Sequence, residues 1–274
     1  MEPIPVAARA VAPAAAGDIE MKLTRMKTHP CVALALFGLS AAANAAMFGA
    51  VELGGARDSN FNGSETAAGA ISETWQSLSA SLGWYTPVNA RTALVFRGGA
   101  QNSRFDQADY LDGNIFSLNT GAYYSFDRRN SLSGALGARF KRFEDSRRDG
   151  SVLSVSVDLK QKSSPVFWLS EAAFYEKGTA ETPSGEYSGY GLNVGLNWKP
   201  APALLLTAGA GAIQRTYNVT VGNKRTGYQF NAGVSWVLTK NFYFQGRAGW
   251  QLNSDDSGRE YQGNTYSIAS GINF

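Results

Sequence analysis

The residues of this chain that could do chemistry are mainly scattered charged side chains, and they form no compact catalytic motif. The only cysteine, Cys31, and the only histidine, His29, lie in a segment that we expect to be removed. The mature chain would then lack a thiolate and an imidazole, which excludes disulfides, thiolate metal sites and histidine-dependent mechanisms. We therefore predict no enzyme activity, no catalytic residue and no cofactor.

Loop carboxylates are the remaining candidates for a metal site. Two polar segments carry them, at Asp106, Asp109 and Asp112 and at Asp255, Asp256 and Glu260. Carboxylates in such loops are usually solvated, or lie near cations bound to lipopolysaccharide. We predict no metal site.

A further set of charged residues falls on the face of alternating segments that we assign to an interior. Its members are Glu52, Arg97, Arg139, Lys141, Asp158, Lys160, Glu171, Lys199 and Arg247. Most are basic, which favours anionic solutes in a watery lumen. The alternative is a set of salt bridges that fills a closed interior, and the sequence leaves both open.

The N-terminal part of the chain predicts export. From Met21, basic residues precede the apolar run 32–39, and Ala43-Asn44-Ala45 fits the small-x-small cleavage rule. We assign 21–46 to a cleaved signal peptide and 47–274 to the mature domain. Residues 1–20 are interpreted as an upstream extension without structure.

The mature chain repeats one pattern: about ten alternating residues, a tight turn, a second alternating segment, then a longer polar loop. This predicts an all-β fold, a closed antiparallel transmembrane β-barrel of about 12 strands (10–14) in an up-and-down meander. The predicted strands cover 48–57, 75–85, 91–103, 114–126, 131–143, 151–162, 166–177, 187–199, 203–216, 226–239, 241–253 and 264–274. Turns at one end and loops at the other are typical of outer-membrane barrels.

Alternation also fits a soluble β-sandwich or lipocalin-like barrel, with its large residues inside. Two features favour a transmembrane barrel over these soluble folds. Aromatic residues such as Trp84, Trp198, Trp236 and Trp250 concentrate near strand ends, as in interface girdles. The other face is rich in Gly, Ser and Asn, too small to fill a dry core. The net charge of +3 without a long basic run gives no case for nucleic acid.

The end of the chain resembles the terminal strand of outer-membrane β-barrel, porin-like proteins. The residues that carry the resemblance are Tyr266, Ile268, Gly271, Ile272 and the terminal Phe274. The resemblance implies that this strand is the signal read by the barrel-assembly machinery, and that the partners are outer-membrane lipid and lipopolysaccharide. The sequence indicates no oligomeric state.

A narrower resemblance links both ends to barrels of exopolysaccharide-export and surface-lipoprotein-assembly systems. It rests on Arg57-Asp58-Ser59-Asn60, on 253–256 and on 261–264. Those families often carry tyrosine where Arg57 stands, and often have helical repeats upstream. From all of this we expect a narrow passive channel for small hydrophilic solutes, with a non-conducting export barrel or a surface interaction scaffold as the alternative.

Overall fold

The computed structural model describes residues 46–61, 63–219 and 223–274, which form one closed antiparallel β-barrel of twelve strands. The strands are β1 Ala46–Asp58, β2 Glu73–Pro87, β3 Thr92–Phe105, β4 Gly113–Ser125, β5 Asn130–Phe143, β6 Gly150–Lys162, β7 Phe167–Ala180, β8 Tyr187–Ala201, β9 Leu204–Tyr217, β10 Lys224–Val237, β11 Phe242–Asp255 and β12 Glu260–Asn273. Each strand pairs with its neighbours in sequence, and β12 pairs with β1. The predicted twelve-strand meander is confirmed.

The register of the strands fixes the dimensions of the barrel. Paired residues, followed once around the barrel, return to β1 about 16 residues further along, which implies a strand tilt of about 40° and a backbone radius of about 13 Å. Barrels of about eight strands are filled by their side chains, and barrels of about sixteen hold an open channel. At this radius, the size of the inward side chains decides whether water enters.

The outer surface carries the large apolar residues. Leu153, Leu192 and Ile268 are 59%, 62% and 61% exposed, and the alternate positions of their strands are apolar and exposed in the same way. Exposed aromatics lie toward both ends, with Trp198 near the turns and Tyr190 near the loops. This arrangement is the apolar band with aromatic girdles of a transmembrane barrel.

The opposite parity points into the barrel and is mostly small or polar. On β2 the inward residues include Ser77, Ser79 and Ser81, and on β8 they include Asn193 and Asn197. Because residues directly opposite each other in neighbouring strands share a face, this assignment extends around the whole barrel. The apolar core of a soluble β-protein is therefore replaced by a polar interior.

Most strands begin and end within three residues of the predicted bounds, and β12 differs most. It begins at Glu260 instead of 264, so the loop between β11 and β12 is short. Gly258 closes this loop with a φ of +85°, which favours glycine. Asp255 accepts hydrogen bonds from the backbone N–H groups of Ser257 and Arg259 and forms an ion pair with the Arg259 side chain.

Buried carboxylates brace the other loops in the same manner. Glu73, 1% exposed, accepts hydrogen bonds from the N–H groups of Asp106 and Gln107 at 2.9 and 3.0 Å. Asp112 accepts one from Phe105 N–H at 2.7 Å, and Asp149 accepts one from Phe143 N–H at 2.7 Å. Asp112 and Asp255, which the sequence analysis interpreted as solvated, thus hold loop backbone in place.

Two of the segments that carry the narrower family resemblance, 57–60 and 261–264, meet at the β1–β12 seam, and 253–256 lies at the loop end of β11. Asn60 Nδ2 donates to the carbonyls of Ser64 and Gln262, each at 2.8 Å, and Asn60 N–H donates to Asp58 Oδ1 at 2.8 Å. Asn264 N–H donates to Ser59 Oγ at 2.8 Å. These contacts close the barrel at its loop end, which gives the motif a structural role.

The C-terminal strand lies in the wall, between β11 and β1. Phe274 exchanges two backbone hydrogen bonds with Gly49, and Tyr266, Ile268 and Ile272 face outward. Gly271 faces inward beside Tyr243. Their use as an assembly signal stays a prediction.

Four single 3-10 turns lie in the loops at Ala67–Gly69, Asp109–Leu111, Ser146–Arg148 and Pro183–Gly185. Within the described residues no helix is long and apolar enough to cross a membrane. The assigned extension 1–20 and the signal peptide, apart from Ala46, lie outside the described residues.

Candidate functional site: the barrel lumen

The structure places eight of the nine residues predicted for the lumen on the inward face. Glu52, Arg97, Arg139, Lys141, Asp158, Lys160, Lys199 and Arg247 all have inward parity. They do not form one site. Lys199 lies exposed at the turn end of β8, and the others divide into three groups at different heights.

Glu171 is the exception and lies on the outer face. In the register it stands directly opposite Leu159 and Val194, whose face is the lipid-facing one. The prediction of an inward Glu171 was wrong because β7 carries aromatic residues on both faces. Trp168 and Phe174 lie on one face, and Phe167 and Tyr175 lie on the other. Among the described residues Glu171 has no hydrogen bond or ion pair.

The first group surrounds Tyr243, a buried inward residue of β11. Its hydroxyl donates to Glu52 Oε2 at 2.9 Å across the β12 strand that separates them. The approach depends on Gly271, where an added Cβ would lie 2.5 Å from the Tyr243 hydroxyl oxygen. Arg97 and Arg247 lie within electrostatic range of this pair. Arg97 also donates to Ser81 Oγ at 2.9 Å.

The second group, here called the basic cluster, contains Arg139, Lys141 and Arg215 around the carboxylate of Glu176, and Arg225 opposite Arg215 on the next strand. Glu176 is buried, and its Oε1 lies 2.8 Å from an Arg215 terminal nitrogen. Its Oε2 lies 3.4 Å from Arg139. Arg139, Arg215 and Glu176 are all within electrostatic range of the Lys141 ammonium. Three cations therefore surround the Glu176 carboxylate in the loop-side half of the lumen, and Arg225 stands between Arg215 and Asp255 in the register.

Tyrosine rings orient the arginines of the basic cluster. The Arg215 guanidinium lies 5.1 Å from the Tyr187 ring centre, and Arg225 lies 4.7 Å from that of Tyr217. The two rings pack against each other at 5.4 Å. Such cation–π contacts hold the guanidinium planes in place without neutralising their charge.

The third group lies toward the turn end. Lys160 Nζ is 4.6 Å from the Trp168 ring centre, and Asp158 accepts a hydrogen bond from Ser156 Oγ at 3.3 Å. One acid and one base thus balance here, each held by a neighbour on the same face.

Amide side chains between these groups remain accessible to solvent. Asn119, Gln229 and Asn231 face inward and are exposed. Gln229 Nε2 donates to Asn193 Oδ1 at 3.2 Å, and Asn119 and Asn231 lie beside Gly137 and Gly209 on the neighbouring strands. The middle of the lumen therefore admits water.

Sequence reasoning missed Glu176, Arg215, Arg225 and Tyr243. Arg215 could have been predicted from the alternation of β9, because it lies on the same face as the small residues Gly209 and Gly211. Glu176 shares the face of Gly178 on β7, where the parity was ambiguous. Among the described residues no group of three or more His, Cys, Asp or Glu is arranged to hold a metal ion.

Comparison with known proteins gives the fold. One similar solved structure is the COG4313 outer membrane channel from Pseudomonas putida F1, with a TM-score of 0.63 and 11% identity over 83% of this chain and 95% of that one. Another is the NanC porin, with a TM-score of 0.51 and 9% identity over 81% and 98%. The chain folds as a bacterial outer-membrane β-barrel. No protein-family model and no curated protein matches the sequence.

Proposed function

We propose that this barrel is a narrow passive channel for small hydrophilic anions. The observation that carries the proposal is the basic cluster: Arg139, Lys141, Arg215 and Arg225 lie partly exposed on the lumen face, with Glu176 among them and Asp255 opposite Arg225. A fixed positive field in a narrow passage raises the local concentration of anions and repels cations. Similarity to structures named as a channel and a porin supports a transport role.

The polar lumen favours a hydrated passage over a sealed interior. A closed interior would bury each charge against a partner, because an unpaired buried charge is costly. Lys141 and Arg225 instead form no ion pair among the described residues, although Glu176 lies within electrostatic range of Lys141 and Asp255 stands opposite Arg225. Both side chains are partly exposed, which leaves them accessible to water in the lumen.

Vesicle swelling with solutes of one size and three charges tests the proposal. Vesicles containing the purified mature protein would be diluted into glucose, gluconate or glucosamine. We expect gluconate to enter fastest and glucosamine slowest. Lys141→Gln should reduce the preference for gluconate over glucose, whereas Lys240→Gln in an exposed turn between β10 and β11 should not. Equal rates for all three solutes, or no swelling, would reject an anion channel.

A further inference from the structure

Glu171 is the one charged side chain that the described strands place in the middle of the lipid-facing surface. On β7 it lies four residues from Phe167 and four residues from Tyr175. These aromatics pair with Trp198 and Tyr190, and the two pairs mark the turn-side and loop-side girdles. With a rise of about 3.3 Å per residue and a strand tilt of about 40°, the Glu171 backbone lies about 10 Å from either girdle.

Every other charged residue on the outer face of the described strands lies at the loop end. Those residues are Arg57, Arg104, Arg142, Lys177, Lys224 and Glu260. Side chains at that end reach water above the apolar band, whereas about 10 Å of apolar surface separates Glu171 from either edge of the band. An ionisable residue at such a depth usually has a polar partner.

The neighbours of Glu171 offer its carboxyl group no hydrogen-bond donor. Leu159 and Val194 stand directly opposite it on β6 and β8, and Leu169 and Ala173 are the next outward residues along β7. The backbone N–H groups of β7 are used in pairing with β6 and β8. Lipid acyl chains carry no donor either, and a polar group left unpaired in hydrocarbon is costly. Only another protein can bring a donor to this depth.

A second copy of this chain supplies the partner group by symmetry. In a two-fold dimer whose axis is normal to the membrane, each residue lies at the same depth as its copy, and a residue on the axis meets itself. Two carboxyl groups that meet in this way can share a proton in a hydrogen bond. A mid-membrane carboxyl group is therefore complementary to its own copy.

The surface around Glu171 also permits close packing. Val157, Leu192 and Val194 are 49%, 62% and 46% exposed, and the small Ala173 lies beside Glu171 on the same face. Protein surfaces in lipid associate through packing at small residues and through hydrogen bonds between polar ones, because lipid removes the hydrophobic driving force. We call the surface formed by these residues the Glu171 face; its members are Val157, Leu159, Glu171, Ala173, Leu192 and Val194.

We propose that two copies of this chain form a two-fold symmetric dimer through the Glu171 face, with the two Glu171 carboxyl groups joined by a shared proton on the axis. The contact lies on the outside of the barrel wall. The proposal is therefore independent of whether the lumen conducts.

Sedimentation equilibrium of the purified mature protein in density-matched detergent at about pH 5 measures the dissociation constant of the dimer. Glu171→Leu should weaken the dimer about tenfold, because the hydrogen bond between the copies is lost. Glu171→Gln should retain it, since two amides can donate to each other. Thr120→Leu, which removes a polar group midway between Phe116 and Tyr124 on β4, should leave it unchanged.

The Glu171→Leu variant also guards against an effect of misfolding. Leucine on the lipid-facing surface is expected to stabilise the monomeric barrel, so unfolding could not explain a weaker dimer. Retained heat-modifiability in gels would show that each variant is folded. A bulky residue locates the interface: Ala173→Trp should weaken the dimer, whereas Ala122→Trp, exposed on the outer face of β4, should not.

A pH titration tests the shared proton. Raising the pH from about 5 to about 9 should dissociate the wild-type dimer, because the proton is lost, but not the dimer of Glu171→Gln. The outward faces of β6, β7 and β8 carry no other titratable group at this depth; Tyr175, Lys177 and Tyr190 lie at or above the loop-side girdle.

Four results would overturn the proposal. The first is a wild type that stays monomeric, whether lipid or another protein covers the Glu171 face in its place. The second is a Glu171→Leu variant that dimerises like the wild type. The third is equal weakening by Ala122→Trp and Ala173→Trp. The fourth is the same response to pH in the wild type and in Glu171→Gln.

Discussion

Replacing Glu176 with glutamine tests two contributions of the basic cluster separately: its contribution to the stability of the barrel and its contribution to anion selectivity. The carboxylate is 5% exposed and receives hydrogen bonds from Arg215 Nε at 2.9 Å and from Arg139 at 3.4 Å. Glutamine keeps the shape and one acceptor oxygen, but it turns an NH₂ group toward a guanidinium. One charge-assisted hydrogen bond is lost, and two cations lose their counter-charge.

The expected loss of unfolding free energy is about 2–3 kcal/mol. Charge-assisted hydrogen bonds contribute about 1.5–3 kcal/mol each, and breaking a fully buried ion pair costs about 3–5 kcal/mol. The Arg139 and Arg215 side chains are 34% and 25% exposed, so lumen water lowers the cost below that of a buried pair. Urea titration in lipid vesicles, read by heat-modifiability in gels, measures it.

Glu176→Gln should lower the stability of the barrel but raise its anion selectivity. Removing one negative charge lowers the energy of an anion about 8 Å away by about 0.5 kcal/mol in a water-like dielectric, a roughly twofold rise in preference. Glu181→Gln, in the exposed loop after β7, should change neither quantity. If Glu176→Gln were less stable and also less anion-selective, the basic cluster would not be the selectivity element.

Three further predictions concern the seam, the outer face and one loop. Asn60→Ala removes three side-chain hydrogen bonds and should cost about 2–4 kcal/mol in unfolding free energy, whereas Asn241→Ala, exposed in a turn, should change it by less than about 0.5 kcal/mol. Glu171→Leu replaces a carboxylate on the lipid-facing surface and should raise the same free energy by about 1–2 kcal/mol; a decrease would place Glu171 in a specific contact. The Arg147 guanidinium lowers the pKa of Asp145 below its ordinary value of 3.8. The local stability of loop 144–149 should therefore be complete above about pH 4 and be lost as the pH falls through the lowered pKa, which amide exchange of that loop would detect.

The sequence predicts the wall of the barrel well because strand alternation is a local property. Leu153, Val155 and Val157 show the outward face of β6 without knowledge of any partner. On β7 both faces carry aromatics, and only the register with β6 shows that Glu171 lies opposite Leu159 and faces lipid. Local periodicity alone could not resolve that strand.

The contacts inside the lumen depend on the closure of the barrel and on the stagger between its strands. Neither can be predicted from a local sequence pattern. Tyr243 and Glu52 are 191 residues apart in sequence and meet because β12 joins β1. Arg215 reaches Glu176 from two strands away because the register places Gly189, which has no side chain, directly between them. Asp112 looks like a solvated loop carboxylate in the sequence, and its contact with the Phe105 N–H forms only when the loop folds back on the end of β3.

The most direct test of the central claim is the reversal potential of the purified mature protein in planar bilayers under a KCl gradient. A water-filled lumen dominated by Arg139, Lys141, Arg215 and Arg225 predicts discrete conductance steps with chloride preferred over potassium. Lys141→Gln with Arg225→Gln should move the reversal potential toward that of a non-selective pore. Cation preference, or a folded protein without conductance steps, would contradict the account.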